Sequence, residues 1–203
     1  MAATGRVGVP QGDPERTYTP DEEARLTRNL HALLTGVHGG LFSSYPVNLT
    51  LLEALHRNIF REVRSHAGRS RSSDFGSEYL IFGPHRSEHR DTVWQSVGKL
   101  FDAFERELAS IESAPDDERY ERHALRLALK IHADLIQIHP FEDGNGRSGR
   151  AMMNVVLVRL GLRPLAIELP KQEYLAALNH YYRMGNLDPL EDLALRVYDL
   201  PDG

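Results

Sequence analysis

Apolar residues recur along most of this chain at intervals of three and four, the spacing of one helix face. Leu26, Leu30, Leu33 and Leu34 follow a start written as Thr19-Pro20-Asp21-Glu22. There Thr19 can cap, Pro20 suits the first turn, and the acids face the positive end of the dipole. This helix should stop near Gly36 or Gly39-Gly40. A second helix is predicted over about Thr50 to Ser65, with Leu51, Leu52, Leu55, Ile59, Phe60 and Val63 on its apolar face. From His66 to Asp91 the period fails, and Gly, Ser and Arg dominate. Within that stretch Tyr79-Leu80-Ile81-Phe82, followed by Gly83-Pro84, is the one convincing strand pattern and predicts a short hairpin. Helical spacing returns at about Thr92 with Trp94, Val97, Leu100, Phe101, Phe104 and Leu108, before a turn over Ser113–Glu118.

The next predicted helix, Arg119–Ile138, differs from the others. His123, Arg126, Lys130, Asp134 and Gln137 make a single polar stripe, and past Arg122 every other position except His132 is apolar. Such a helix belongs in the middle of a domain. It ends at His139-Pro140. Another begins within Asn145–Arg147 and runs to Gly161, and two more cover Lys171–Met184 and Pro189–Leu200. The pattern predicts an all-α helical bundle with a single β-hairpin. Residues 1–18, rich in Gly and Pro, read as a flexible leader, and 19–203 as one domain.

Composition narrows the classes. Hydrophobic residues make up 41% and charged residues 26% of 203, and there is no cysteine, which removes disulfide frameworks, thiol nucleophiles and thiolate metal sites. A net charge of −5 does not favour direct nucleic-acid binding. No apolar run reaches the ~20 residues of a membrane span, and the first residues lack a signal-peptide pattern. The expectation is a soluble, cytoplasmic protein. The arginines between Arg57 and Arg90 read either as a solvated surface or as a basic rim beside an anionic ligand.

The chemistry concentrates in His139-Pro140-Phe141-Glu142-Asp143-Gly144-Asn145-Gly146-Arg147-Ser148-Gly149-Arg150, between two helices. Gly144 and Gly146 flank Asn145, the residue types that best tolerate positive φ, so the backbone can turn its N–H groups to one side as an anion nest. The nest opens a helix, whose unpaired N–H groups add positive potential. Arg147 and Arg150, three apart, project from one face with guanidinium forks suited to phosphate oxygens. Asp143 places a hard carboxylate where Mg2+ could be shared with nucleotide phosphates. His139 offers a proton acceptor at the entrance. These are the parts that phosphoryl-type transfer needs.

The run His-Pro-Phe-x-Asp-Gly-Asn-Gly-Arg-x-x-Arg resembles the motif of the Fic (filamentation induced by cAMP) domain family, and all nine fixed positions are matched at 139–150. The helix ending in Leu135-Ile136-Gln137-Ile138-His139 is similar to the family's pre-motif helix, and the His66–Glu88 region sits where the family has its flap. The likeness covers about 48–198, with an N-terminal helix at 19–35. The resemblance implies a Fic-type bundle that moves AMP from ATP, as co-substrate, onto a Ser, Thr or Tyr hydroxyl of a target protein and releases pyrophosphate. His139 would deprotonate that hydroxyl. Asp143 would hold Mg2+ against the α- and β-phosphates, which Gly144, Asn145 and Gly146 would cradle. Arg147 and Arg150 would hold the β- and γ-phosphates, and Phe141 would anchor the loop. Tyr79, Leu80, Ile81 and Phe82 would align the target by strand pairing. The alternatives are a binding module of this fold without turnover, or an enzyme that transfers another phosphate-containing group.

Many relatives carry an inhibitory helix with the pattern Ser/Thr-x-x-x-Glu-Gly/Asn. Thr19 to Ala24 is a near match that fails at the last position, and reads better as a helix cap. Restraint by a separate antitoxin-like partner is therefore the expectation, or no restraint of this kind. Gly144–Gly149 also satisfies the dinucleotide G-x-G-x-x-G spacing, but a helix precedes it rather than a strand. His85 and His89, four apart, have a zinc-compatible spacing without an obvious third ligand.

Overall fold

The computed structural model describes residues 18–114, 119–165 and 171–198. The leader over 1–17, most of the turn after Ser113 and the end of the last predicted helix lie outside these residues. Among the described residues there are seven α-helices and one two-stranded antiparallel hairpin. The all-α architecture with a single hairpin is as the hydrophobic spacing predicts.

Helix α1 spans Pro20–His38. The Thr19 hydroxyl accepts from the Glu22 N–H, and the Glu22 carboxylate accepts from the Thr19 N–H at 2.9 Å, a capping box that satisfies two donors left open at a helix start. Helix α2, Leu49–Phe60, is capped by Asn48, whose side chain accepts from the Leu51 N–H at 3.0 Å. It ends five residues before the predicted Ser65. The physical reason is tertiary: Asn29 of α1 donates to the Ile59 and Arg61 carbonyls, Arg25 donates to that of Glu62, and Glu62 turns the chain with φ 62°. No spacing rule contains that information.

Strands β1 (Ile81–Phe82) and β2 (His85–Arg86) pair Ile81 with Arg86 and Phe82 with His85 around Gly83-Pro84. Only the second half of the predicted Tyr79–Phe82 strand is ladder. The Leu80 N–H instead bonds the Ser87 hydroxyl, while the Leu80 carbonyl accepts from the Ser87 N–H. Helix α3 (Arg90–Glu112) begins two residues before Thr92, capped by the His89 ring. Then follow α4 (Tyr120–Ile138), α5 (Asn145–Arg159), α6 (Lys171–Met184) and α7 (Asp188–Tyr198).

Helix α4 is central, packing against α3, α5, α6 and α7, while α5 also contacts α1 and α2. Leu125, Leu129, Ile131 and Leu135 of α4 meet Met152, Val155 and Val156 of α5 in one core. Each such side chain removed from water contributes about 2 kcal/mol. The polar stripe remains at the surface, with Arg126, Lys130 and Asp134 part-exposed. Arg122 and Arg126 bond the buried Glu191 carboxylate and so fix α7 to α4. Among the described residues no helix is long and apolar enough to cross a membrane. The chemical loop is the connection between α4 and α5.

Candidate active site

The loop leaves α4 through a strained residue. His139 has φ 59° and ψ 61°, a left-handed conformation that costs a non-glycine residue about 1–2 kcal/mol. Its Nδ1 lies 3.0 Å from the Ile136 carbonyl. A carbonyl only accepts, so Nδ1 carries the proton and Nε2 is left as the basic nitrogen. The imidazole is pushed down to about 4, first by burial and then by the Arg71 cation, so it is neutral at pH 7. The Phe82 ring of the hairpin lies on it, with centroids 4.5 Å apart at 15°.

The middle of the loop is pinned from beneath. Phe141 is buried and stacks on His56 at 3.9 Å, and His56 stacks on Phe60 at 4.6 Å. The His56 Nδ1 accepts from the Gly68 N–H at 2.8 Å, so its Nε2 must donate to the Asp143 carbonyl, 3.0 Å away. Burial pushes His56 down to about 4, which preserves that neutral tautomer. The buried Asn145 side chain holds both backbone groups of Phe141, each at 2.8 Å. Its amide thus clamps the loop, and only its backbone N–H remains to face a ligand. Gly144 has φ 77°, and a Cβ there would sit 2.1 Å from the Phe60 ring, so no other residue fits. Gly146 is helical, so one positive-φ glycine, rather than two, shapes the turn.

Arg71 was not separable in the sequence from its arginine-rich surroundings. It is 1% exposed. Its guanidinium donates to the carbonyls of His139, Ser77 and Glu88 at 2.7–3.1 Å, and its N–H bonds the Pro140 carbonyl at 2.8 Å. One side chain therefore joins the exit of α4 to both ends of the flap. Glu142 adds a second tie, accepting from the Ser77 N–H and, at 3.0 Å, from the Ser77 hydroxyl. These residues could be found only through spatial contacts.

Asp143 and Arg147 stand beside the nest. The Tyr18 hydroxyl donates to Asp143 Oδ2, and Arg147 donates to the same hydroxyl at 3.0 Å. Arg64 Nε lies 3.7 Å from Asp143 Oδ2 and has no hydrogen-bond partner among the described residues, while its NH1 bonds Glu22 at 2.8 Å. Arg64, also from the predicted basic rim, borders the carboxylate side of this loop. Arg150 lies one turn further on, near Gly146, and its positive charge acts on Tyr174. Tyr174 in turn meets the buried His132 Nε2 at 2.7 Å. His132 is pushed down to about 3 by burial and by Arg150, so it too is neutral.

The remaining predicted residues divide. Ile81 is exposed at the hairpin edge and Phe82 covers His139. Tyr79 instead stacks under the Arg86 guanidinium at 3.5 Å and meets His89 edge-on, and both Leu80 backbone groups are used by Ser87. His85 bonds Asn179 at 2.7 Å and His89 caps α3, so these two do not converge. Tyr182 lies edge-on to Phe82 and His85, and Tyr181 bonds Asp134 at 2.6 Å.

Residues 46–157, more than half of the chain, match the profile of the Fic/DOC family. The chain is 38% identical over 150 residues to "Protein adenylyltransferase Fic" of Drosophila ananassae, covering 74% of this chain and 27% of that protein. It is 32% identical over 126 residues to the protein of the same name from Nematostella vectensis, covering 60% and 27%. The chain thus spans about a quarter of the length of these curated relatives. Among solved structures, the N-terminal FIC domain of Bep8, a VirB-translocated effector of Bartonella sp. 1-1C, superposes with TM-score 0.69 at 14% identity, covering 97% of this chain and 94% of that one. A Fic domain from Bartonella quintana with bound ADP gives 0.66 at 17% identity, covering 90% and 87%.

Proposed function

The chain belongs to the Fic/DOC family, and from that premise we propose that it is a protein adenylyltransferase, moving AMP from ATP to a hydroxyl side chain of a target protein. The observation that carries the reading is the His139 tautomer. Nδ1–H is spent on the Ile136 carbonyl, so Nε2 is a neutral base held at the mouth of a helix-opening loop. A base fixed there suits removal of a proton from a Ser, Thr or Tyr hydroxyl as it attacks the α-phosphorus. The α-phosphorus–oxygen bond to the β-phosphate breaks, and pyrophosphate leaves.

The positions around that base support the same assignment. The N–H groups of Asn145, Gly146 and Arg147 lie in the first turn of α5, where no carbonyl four residues back serves them, and they suit the α- and β-phosphate oxygens. Arg147 and Arg150 supply positive charge for the outer phosphates. Asp143 is the loop carboxylate for Mg2+, since Glu142 is committed to Ser77. One carboxylate suits an ion that arrives already bound to nucleotide phosphates, and no group of three or more metal-binding side chains occurs among the described residues. When bound, Mg2+ would neutralise charge on the leaving pyrophosphate. The ligand named for the related Bartonella quintana structure, ADP, fits this use of the loop.

In an antiparallel pair the non-bonded positions turn their N–H and C=O groups outward. Ile81 and Arg86 are that pair here, so the outer edge at exposed Ile81 suits strand addition by a target segment. Of the four flap residues, Ile81 and Phe82 are the ones assigned to docking. Glu23 is exposed and Glu22 makes the capping contacts, so restraint from outside, by an antitoxin-like partner offering a carboxylate to Arg150, belongs to this reading. A cytoplasmic location, where ATP is plentiful, belongs to it as well.

The test is intact mass of the protein and of candidate targets after incubation with ATP and Mg2+, comparing the natural chain with His139→Ala. An added AMP moiety that depends on His139 is the expected result. No adduct on any protein, self included, contradicts the proposal.

A further inference from the structure

We propose that Tyr18 is a built-in occupant of the polyphosphate seat, a phenol gate that must withdraw before a nucleotide and its metal can enter. The proposal rests on the reading of the 139–150 loop as that seat. Its hydroxyl stands between Asp143 and Arg147, donating to the first and accepting from the second at 3.0 Å. Those are the groups assigned to the metal and to a phosphate. A neutral hydroxyl that donates to the carboxylate and accepts from the guanidinium satisfies both groups at once. A phosphate oxygen with its metal would make the same two contacts, and the two occupants cannot share the space.

The gate is also held by its ring and by its root. The Arg64 and Arg147 guanidinium carbons lie 4.5 and 5.2 Å from the ring centroid. Immediately after Tyr18 the chain is fixed by the Thr19–Glu22 capping box, and Glu22 is itself bonded to Arg64 at 2.8 Å. Withdrawal of Tyr18 would leave Arg64, whose Nε has no hydrogen-bond partner among the described residues, as a third guanidinium at the seat. The hinge is short. Rotation about the Tyr18 backbone and side chain suffices, and the capping box stays intact.

A site whose competent state is only a fraction of the population binds more weakly by that fraction, so a gate closed nine-tenths of the time costs about tenfold in apparent affinity. The experiment is calorimetric titration of the full chain with ATP and Mg2+, comparing the natural protein, Tyr18→Phe and Tyr18→Ala. Circular dichroism checks that all three fold, as they should with the cap retained. We expect Tyr18→Ala to bind about tenfold more tightly. Tyr18→Phe, which loses the hydroxyl and keeps the ring, should fall between. Equal affinity in all three overturns the gate, and weaker binding by Tyr18→Ala overturns it in favour of a ligand-contacting tyrosine. No binding by any folded variant removes the seat itself, and the gate with it.

Discussion

His139 stores strain to present one nitrogen, and its ionisation sets the pH at which that nitrogen is usable. A base must be neutral, and a lowered pKa keeps it neutral into more acidic solution. Initial rates of AMP transfer should therefore hold level from pH 7 to 6 and decline only as the pH approaches about 4, rather than near the ordinary 6.5. A half-maximal rate near 6.5 would mean that the ring is hydrated. His56 makes a different residue-scale claim. His56→Ala removes two aromatic stacks and leaves the Gly68 N–H and Asp143 carbonyl without their partner, so urea unfolding should show a loss of about 3 kcal/mol. Glu23→Gly, in contrast, should leave self-labelling unchanged, because the side chain is exposed at the start of α1. The loop residues were legible because their types and order are local. His56, Arg71, Glu142 and Tyr18 were not, because each acts on a loop distant in the chain, and such pairings leave no mark on local spacing.

At the scale of elements, α4 and α5 were readable from periodicity alone, and their junction from glycine and arginine chemistry. The end of α2 was not, since the Asn29 and Arg25 contacts that take its last carbonyls come from another helix. The flap was half legible: the apolar cluster located it, yet its geometry is dictated by Arg71 and Ser87. Arg71→Lys keeps a charge but cannot reach several carbonyls at once. Hydrogen exchange should then quicken over Ser77–Glu88 while α4 and α5 keep their protection. Uniform quickening across the chain would make Arg71 a general core residue instead. At the loop, Gly144→Ala forces a Cβ to 2.1 Å from the Phe60 ring in a left-handed backbone. It should cost at least about 2 kcal/mol and abolish nucleotide binding.

On the scale of the whole molecule, three histidines are held neutral: His56 and His139 at about 4 and His132 at about 3. Their unfolded counterparts take up protons near 6.5. Between these limits the unfolded chain binds more protons, so stability rises with pH there. It is fully present above about 6.5 and drains as the pH falls toward 4. Each histidine contributes a slope of up to about 1.4 kcal/mol per pH unit. Urea unfolding at pH 7, 6 and 5 should show a steep loss across that window, and a flat profile would show that these rings are solvated. The three lie on α2, α4 and the loop, so the same burial that makes the core also prepares the base. The central claim is that this loop seats the three phosphates of ATP and that His139 delivers a hydroxyl to the innermost one. The most direct measurement is transfer of radiolabel to protein from ATP labelled at the α-phosphate against ATP labelled at the γ-phosphate, with His139→Ala beside the natural chain and Tyr18→Ala. Label from the α position only, lost with His139, is the predicted result. Label from the γ position, or α label that survives in His139→Ala, would contradict it.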